Sequence, residues 1–288
     1  MIPPSCLSDK EAFLDLVIEK LAHSPIDFLE KAPGHGDAPG VSPVRRTAGV
    51  LLLLNFNEKE PYSRSPHGDF HFLLIKRSST VAQPGDLSCP GGMLSPVWDS
   101  LLDKLVRGGC FPNLKGRGLA YAAARDKEIY RLITLYLTNA MREAWEEIRL
   151  SPFNLRFLGP LSTYDLLLFK RTIFPLVGFT KHPWRVNTNH EVEQIIEIPL
   201  RSFFDQANFG RYIIGFRDPQ QSADLRYGEF PCLICRDSQD HEQILWGATF
   251  YIIINFLKTV CGYELDPSRS QRIIRRHLPD NYAQGQRS

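Results

Sequence analysis

The chain has 288 residues, 43% of them apolar and 23% charged, with a formal net charge of +2. That composition matches an ordinary soluble globular protein of one large domain or two small ones, and the near-neutral balance exerts no general pull toward nucleic acid or a membrane. The longest apolar runs, VLLLLNF from Val50 and FYIIINFL from Phe250, fall far short of a membrane span.

The opening MIPPSCLSDKEAFLDL lacks a basic stretch followed by an apolar one, so no secretory signal is expected. Cysteines at 6, 89, 110, 232, 235 and 261 then read as reduced thiols, and the expected address is cytoplasmic. Ser8 to Ser24 carry apolar residues at 13, 14, 16, 17 and 21 behind a Ser8 cap, which predicts an amphipathic helix. A Pro/Gly-rich stretch follows. Residues 1–40 are therefore expected to be a helix and linker, 41–265 the main domain, and 266–288 a basic, polar tail.

The main domain opens with two strand-like runs, AGVLLLLNF and HFLLIKR, on either side of the turn-rich NEKEPYSRSPHGDF. Beyond Gly92, LLDKLVRGG predicts a short helix, ahead of the glycine-rich CFPNLKGRGLA. From Asp126 to Ile148 a long helix is expected. Ile129, Leu132, Ile133, Tyr136, Leu137, Ala140, Met141, Ala144, Trp145 and Ile148 keep the spacing of one buried face. Thr138-Asn139 can restart it as a cap, so one helix or two stays open; Pro152 enforces a stop near 150. Five β-rich runs follow, LRFLGPL, IFPLVGFT, VEQIIEIPL, RYIIGF and FPCLICR, then QILWGATFYIIINFLKTV as a short strand or turn entering a closing helix. The tail PSRSQRIIRRHLPDNYAQGQRS reads as a solvated, partly disordered end. This order predicts an α/β fold with a mixed sheet covered on its faces.

Two stretches carry chemistry. Cys232 and Cys235 have half the spacing of a zinc site, but no second half lies downstream and Leu-Ile between them suits a strand. In NAMREAWEEIRL, Arg142 and Glu146 stack on one column of the helix and Glu143 and Glu147 on the next. Glu147 falls at the border of the apolar face, where an unpaired carboxylate is costly. One arginine serves only some of three clustered glutamates. An exposed helix with i,i+4 salt bridges is one reading; a hard cation held by carboxylate oxygens is the other.

Together with the upstream Pro90-Gly91-Gly92, the stretch resembles the Nudix hydrolase box, G-x5-E-x7-R-E-U-x-E-E-x-G-U with U apolar. Gly92 falls on its first glycine, and Arg142, Glu143, Ala144, Glu146, Glu147 and Leu150 on its second half. There are 49 residues between Gly92 and Arg142 where the box has 13, an excess of 36 that fills about 101–138. A loop-to-helix junction accepts such an insert because closure entropy rises slowly with length. Arg77, Ser78, Pro84, Gly85, Pro90, Gly91 and Gly92 are similar to the coenzyme A diphosphatase-like branch, as are Asn189, Glu191, Val192, Ile198-Pro199-Leu200 and Leu245-Trp246-Gly247 with Thr249. Arg149 replaces the box's last glycine and Trp98 its first acid, with Asp99 adjacent as a substitute. Val81, Ala82 and Gln83 stand where that branch carries basic residues.

The resemblance implies a Nudix fold, an α/β/α sandwich around a mixed β-sheet. It implies metal-dependent hydrolysis of a diphosphate bond in a nucleoside diphosphate derivative, coenzyme A-like first, with ADP-ribose or a dinucleotide as the alternative substrate. Glu143, Glu146 and Glu147 would hold Mg2+ or Mn2+ beside Gly91 and Gly92, with Arg142 orienting a glutamate. Glu146, Glu147 and Arg142 thus count as catalytic together with Glu191, the expected general base, for which Glu193 is the rival. Arg77 and Lys76 would meet phosphate, and Trp246 is either a base-stacking or a core residue. The expected partner is a small nucleotide, with neither nucleic acid nor membrane; a homodimer stays open. The competing reading is a Nudix-fold binding or regulatory module without turnover.

Overall fold

The computed structural model of the protein describes residues 7, 9–33, 46–58, 68–166, 170–217, 225–237, 240–265, 272–278 and 282. The helix α1 spans Lys10–His23, one residue later than its Ser8 cap required. Ser8 lies outside the described residues; the cap is Asp9, whose carboxylate accepts from the Ala12 N–H at 3.1 Å. A short α2, Phe28–Lys31, follows.

The central strand β1 (Arg46–Asn57) owes its place to four consecutive leucines, Leu51 to Leu54, all buried. A strand covered on both faces has no need to alternate with polar residues. It pairs antiparallel with β2 (Asp69–Arg77), and antiparallel with β4 (Gly91–Met93), the strand after the two-residue β3 (Leu87–Ser88). On its other side it pairs parallel with β7 (Arg171–Thr180), which carries β5 (Leu155–Pro160) and β6 (Tyr164–Leu166) as antiparallel partners. The strand β8 (Val192–Pro199) pairs antiparallel with β2. The sheet is therefore mixed.

Alternation along β1 sorts its leucines to opposite faces. Leu51 and Leu53 join Leu73, Ile75, Phe174 and Leu176 under the long helix α5 (Lys127–Ile148). Leu52 and Leu54 join Phe70, Phe72, Val177 and Phe179 under α1 and the closing helix α6 (Gly247–Cys261). The mixed sheet covered on both faces, expected from the element order, is the architecture observed, and with it the α/β/α sandwich that the resemblance implied. From α1, the fully buried Phe13, Leu14, Val17 and Leu21 enter this second core. At about 1.5–3 kcal/mol per buried side chain, the N-terminal helix is one of the walls of the sandwich.

Helix α5 runs unbroken for 22 residues from its Asp126 cap. Thr138-Asn139 does not restart it, because the Thr138 hydroxyl donates back to the Thr134 carbonyl at 2.8 Å and Asn139 is employed elsewhere. Between β4 and the acidic end of α5 lie α3 (Pro96–Arg107), a 3-10 turn at Pro112–Leu114, α4 (Arg117–Ala123) and the first half of α5.

A second sheet is built from β9 (Phe209–Arg217), β10 (Leu225–Arg236), β11 (Glu242–Leu245) and β12 (Arg272–His277). Its strands run β11-β10-β9-β12, with β12 parallel to β9. Here the tail departs from expectation. Residues 272–277 are a sheet strand, not a solvated end, because Ile274 packs against the core of Tyr212, Ile214, Cys232 and Ile234. Tyr282 is buried too, and its hydroxyl donates to the Asp86 carboxylate. Cys232 and Cys235 are β10 residues; burial raises their thiols to about 11 and about 12, which leaves them protonated and structural. Among the described residues no helix is long and apolar enough to cross a membrane.

Candidate active site

The site forms where β4 passes beneath α5. Gly91 has φ of 152°, and a Cβ there would sit 2.6 Å from the Val50 Cα, so only glycine makes this turn against β1. At Gly92 a Cβ would lie 2.6 Å from both carboxylate oxygens of Glu143. Gly49 on β1 meets α5 as closely, its notional Cβ falling 2.6 Å from Asn139 Oδ1 and 2.7 Å from the Tyr136 carbonyl oxygen. Three glycines thus let α5, β1 and β4 approach one another without a Cβ between them.

Asn139, fully buried, binds the three together. Its Oδ1 accepts from the Gly49 N–H at 2.7 Å, and its Nδ2 donates to the Met93 carbonyl and to Asp99 Oδ2, each at 3.1 Å. Nothing in the sequence reading marked Asn139 for this. The signal was there: a polar residue between the apolar pairs 136–137 and 140–141 of a buried helix face needs a partner.

Asp99, on α3, stands beside Trp98 and turns inward. It is fully buried and accepts from Arg142 Nε at 2.7 Å, from Arg142 Nη2 at 3.3 Å and from the Ser95 N–H at 2.6 Å. Arg142 then reaches Glu143 Oε1 from Nη2 at 2.8 Å and both oxygens of Glu146 from Nη1 at 3.1 Å. Burial works against its charge, but the bonds and charges of Asp99, Glu143 and Glu146 outweigh it and raise its pKa. Trp98 itself is 63% exposed.

The glutamates part company here. Glu147, 3% exposed, accepts from the Gly91 N–H at 3.0 Å through Oε2. Burial drives its carboxyl up to about 8; the Gly91 N–H and Arg77 oppose that rise, while Glu143 and Glu191 add to it. Glu143 is raised as well, by burial, with Arg142 in opposition. Glu146 turns outward, its side chain half exposed and held by Arg142. Among the described residues, no three His, Cys, Asp or Glu side chains converge closely enough to hold a metal ion.

Glu191 enters from the start of β8. Its N–H is fixed by Asn189 Oδ1 at 2.9 Å, its carbonyl accepts from the Ser78 N–H at 2.9 Å, and the Asn189 N–H donates to the Glu147 carbonyl at 3.1 Å. Its side chain is 43% exposed. Arg77 donates from Nε to the Ala82 carbonyl at 2.7 Å, and its charge reaches Glu147 and Asp86. Lys76, by contrast, is engaged by Glu193 at 3.0 Å. Gly91, Gly92, Glu143, Glu147, Arg142, Arg77 and Glu191 therefore share one corner; Glu146 and Lys76 stand at its margin with other partners. Trp246 caps α6 and donates to Asp86 Oδ1 at 3.3 Å, packed against Tyr212 and Phe230.

Arg149 ends α5 in the left-handed region, φ 55° and ψ 30°, and its N–H donates to the Trp145 carbonyl at 3.1 Å. The missing glycine is met by placing a side-chain-bearing residue in that conformation, at modest strain.

No family model matches the chain, and no curated protein matches it. Solved structures do. A C. elegans Ap4A hydrolase binary complex is similar at 15% identity, over 55% of this chain and 83% of that one, with a TM-score of 0.34. A Nudix hydrolase from M. smegmatis, RenU, gives 17% over 56% and 74%, with a TM-score of 0.33. The Nudix domain of Shewanella oneidensis NrtR complexed with ADP ribose gives 11% over 58% and 81%, with a TM-score of 0.33.

Proposed function

We propose that the protein is a metal-dependent hydrolase of a diphosphate bond in a nucleotide derivative, with a coenzyme A-like molecule as the favoured substrate. The observation that carries this reading is the burial of Glu147 and Glu143 against the glycine turn, with Arg77 and Glu191 at the same corner. Two carboxylates taken out of water beside each other are costly when ionised, and either a proton or a positive charge must offset them. Arg142 supplies part of that charge, to Glu143. The rest fits a hard divalent cation, Mg2+ or Mn2+, since the donors are oxygens on a rigid helix.

Glu143 and Glu147 would hold that ion, with Glu146 the third acid of the helix. When bound, the cation would neutralise diphosphate charge and acidify water. Arg142, clamped by buried Asp99, fixes the rotamers of Glu143 and Glu146. Arg77 binds phosphate. Glu191, half exposed and next to Glu147 in the field of the site, accepts the proton of the attacking water. The coenzyme A preference rests on the Arg77-Ser78, Pro84-Gly85 and Trp246-Gly247 motifs.

One observation favours a second reading, a nucleotide-binding module: Glu146 is directed to Arg142 rather than to the turn. Incubation with Mg2+ or Mn2+ and a panel of coenzyme A, ADP-ribose, NADH and nucleoside triphosphates separates the two. Phosphorus-containing products that disappear in Glu147→Gln support the hydrolase. Binding with no product from any member of the panel supports the module.

A further inference from the structure

Three arginines meet at one end of the first sheet. Arg46 opens β1 and Arg171 opens β7, and in this parallel pair they are register partners. Arg77 closes β2, which runs antiparallel to β1, and so returns to the same end. Strand alternation places Arg171 on the side of Ile173 and Val177, the face covered by α1 and α6. Arg77, at the irregular step of the β2–β8 pairing, stands toward Glu147.

The charges of Arg46 and Arg77 have other uses or open water. Arg46 is exposed, and Arg77 answers Glu147 and Asp86 and holds the Ala82 carbonyl. Arg171 has neither. It is partly buried, and its Nε is enclosed without a hydrogen-bond partner among the described residues. Burial lowers its basicity, and the two groups that lower it further are Arg77 and Arg46; among the described residues no carboxylate counters them. Asp165, on the neighbouring β6, accepts from Lys31 and Thr172. Three like charges drawn together with an orphaned donor are unfavourable in the free protein. An anion reverses the sign of every one of those terms.

We infer that Arg46, Arg77 and Arg171 form a phosphate-binding site in which Arg171 makes the central contact. Guanidinium forks match phosphate oxygens two at a time, and three of them suit a multiply charged group better than a carboxylate. The charge of Arg77 acts on both Arg171 and Glu147, which joins this site to the proposed reaction centre at the end of the sheet, where its two faces meet; the inference therefore rests on the diphosphate reading above. The same chemistry has two sources on one substrate: the diphosphate to be cleaved, or a further phosphomonoester such as that on the coenzyme A ribose.

The test measures binding apart from turnover. Titration of the metal-free wild-type protein with inorganic pyrophosphate, by calorimetry at low and high NaCl, is expected to give salt-sensitive binding. Arg171→Gln should weaken it about tenfold or more and flatten the salt response, with Arg171→Lys between them. The melting temperature of Arg171→Gln should equal or exceed that of the wild type, because a repelled charge is removed; a structural arginine would give a fall. Arg46→Gln, at an exposed position, is the second variant and should weaken binding with the fold intact. Pyrophosphate binding that is absent in the wild type, or unchanged in both glutamine variants, overturns the site. If Arg171-dependent binding is found and no substrate of the panel is cleaved, the hydrolase reading falls and this site stands. If substrates are cleaved, the ratio of KM between Arg171→Gln and wild type locates the phosphate. An equal rise for ADP-ribose and coenzyme A marks the diphosphate; a rise for coenzyme A alone marks the additional phosphomonoester.

Discussion

Replacing Asn139 with alanine tests whether the two ends of the interrupted glycine-to-glutamate stretch are held by one buried side chain. Alanine leaves the Gly49 N–H, buried under α5, with no partner, which costs about 1–3 kcal/mol. It also removes the bonds to the Met93 carbonyl and Asp99, at about 1 kcal/mol each. The Met93 carbonyl keeps only a long contact to Arg142 Nη2 at 3.4 Å. The sum is a loss of about 3–5 kcal/mol, and at roughly 2–4 °C per kcal/mol for a domain of this class the melting temperature should fall by roughly 10 °C. Urea unfolding followed by circular dichroism at 25 °C measures it directly. A loss below about 1 kcal/mol would show that Gly49 and Met93 find other partners. The claim that Asn139 joins β1, β4 and α3 to α5 would then be wrong.

Other residues give sharper yes-or-no results. His71 is held below its ordinary pKa, mainly by burial, so the unfolded chain takes up a proton that the folded one resists. Its stabilising contribution is present above pH 6.5 and fades as the pH falls below that; urea midpoints at pH 7.5 and 5.5 should separate less in His71→Gln than in the wild type. Tyr282→Phe removes the hydroxyl that donates to the buried Asp86 and should cost about 1.5–3 kcal/mol in the same unfolding assay, against no change if the C-terminal segment is solvated. A thiol reagent on native protein, read by peptide mapping, should label exposed Cys110 and spare Cys89, Cys232, Cys235 and Cys261 until denaturant is added. Labelling of Cys232 or Cys235 at the rate of Cys110 would contradict their burial.

The parts of the fold legible from sequence were those in which local pattern and tertiary environment agree. The Leu51–Leu54 run had to be a strand buried on both faces, and the apolar stripe from Ile129 to Ile148 had to lie on a sheet. The glycine turn and the acidic helix were recognisable because Gly91, Gly92, Glu143 and Glu147 meet backbone to side chain, and such contacts constrain residue type. Glu146 and Lys76 could not be placed that way. Their charges are satisfied by Arg142 and Glu193, which are equally consistent with their sequence neighbourhoods. The tail failed for a related reason. RIIRRH is polar enough for solvent, and only the position of β9, more than fifty residues upstream in the chain, supplies the edge on which it pairs. Tyr282 and Asp86 are likewise silent until the fold brings them together.

The residues between the glycine turn and the acidic end of α5 are built into the fold. Asp99, at the start of α3, anchors Arg142 with two bonds, which ties α3 to the acidic turn of α5. Arg125, after α4, donates from Nη2 to the carbonyls of Leu21, Ala22 and Ser24, which ties the end of α4 to the end of α1. Gly118 lets α4 run against β5 so closely that a Cβ would fall 2.9 Å from the Leu158 carbonyl oxygen. The first half of α5 supplies Ile133, Tyr136 and Leu137, all buried under the sheet, with the Tyr136 ring stacked on Phe174 at 3.7 Å. A mobile cover over the site would need few buried contacts and a weak attachment. These residues have the opposite character: they extend the floor on which α5 lies, and so fix the height at which Glu143 and Glu147 meet the glycine turn.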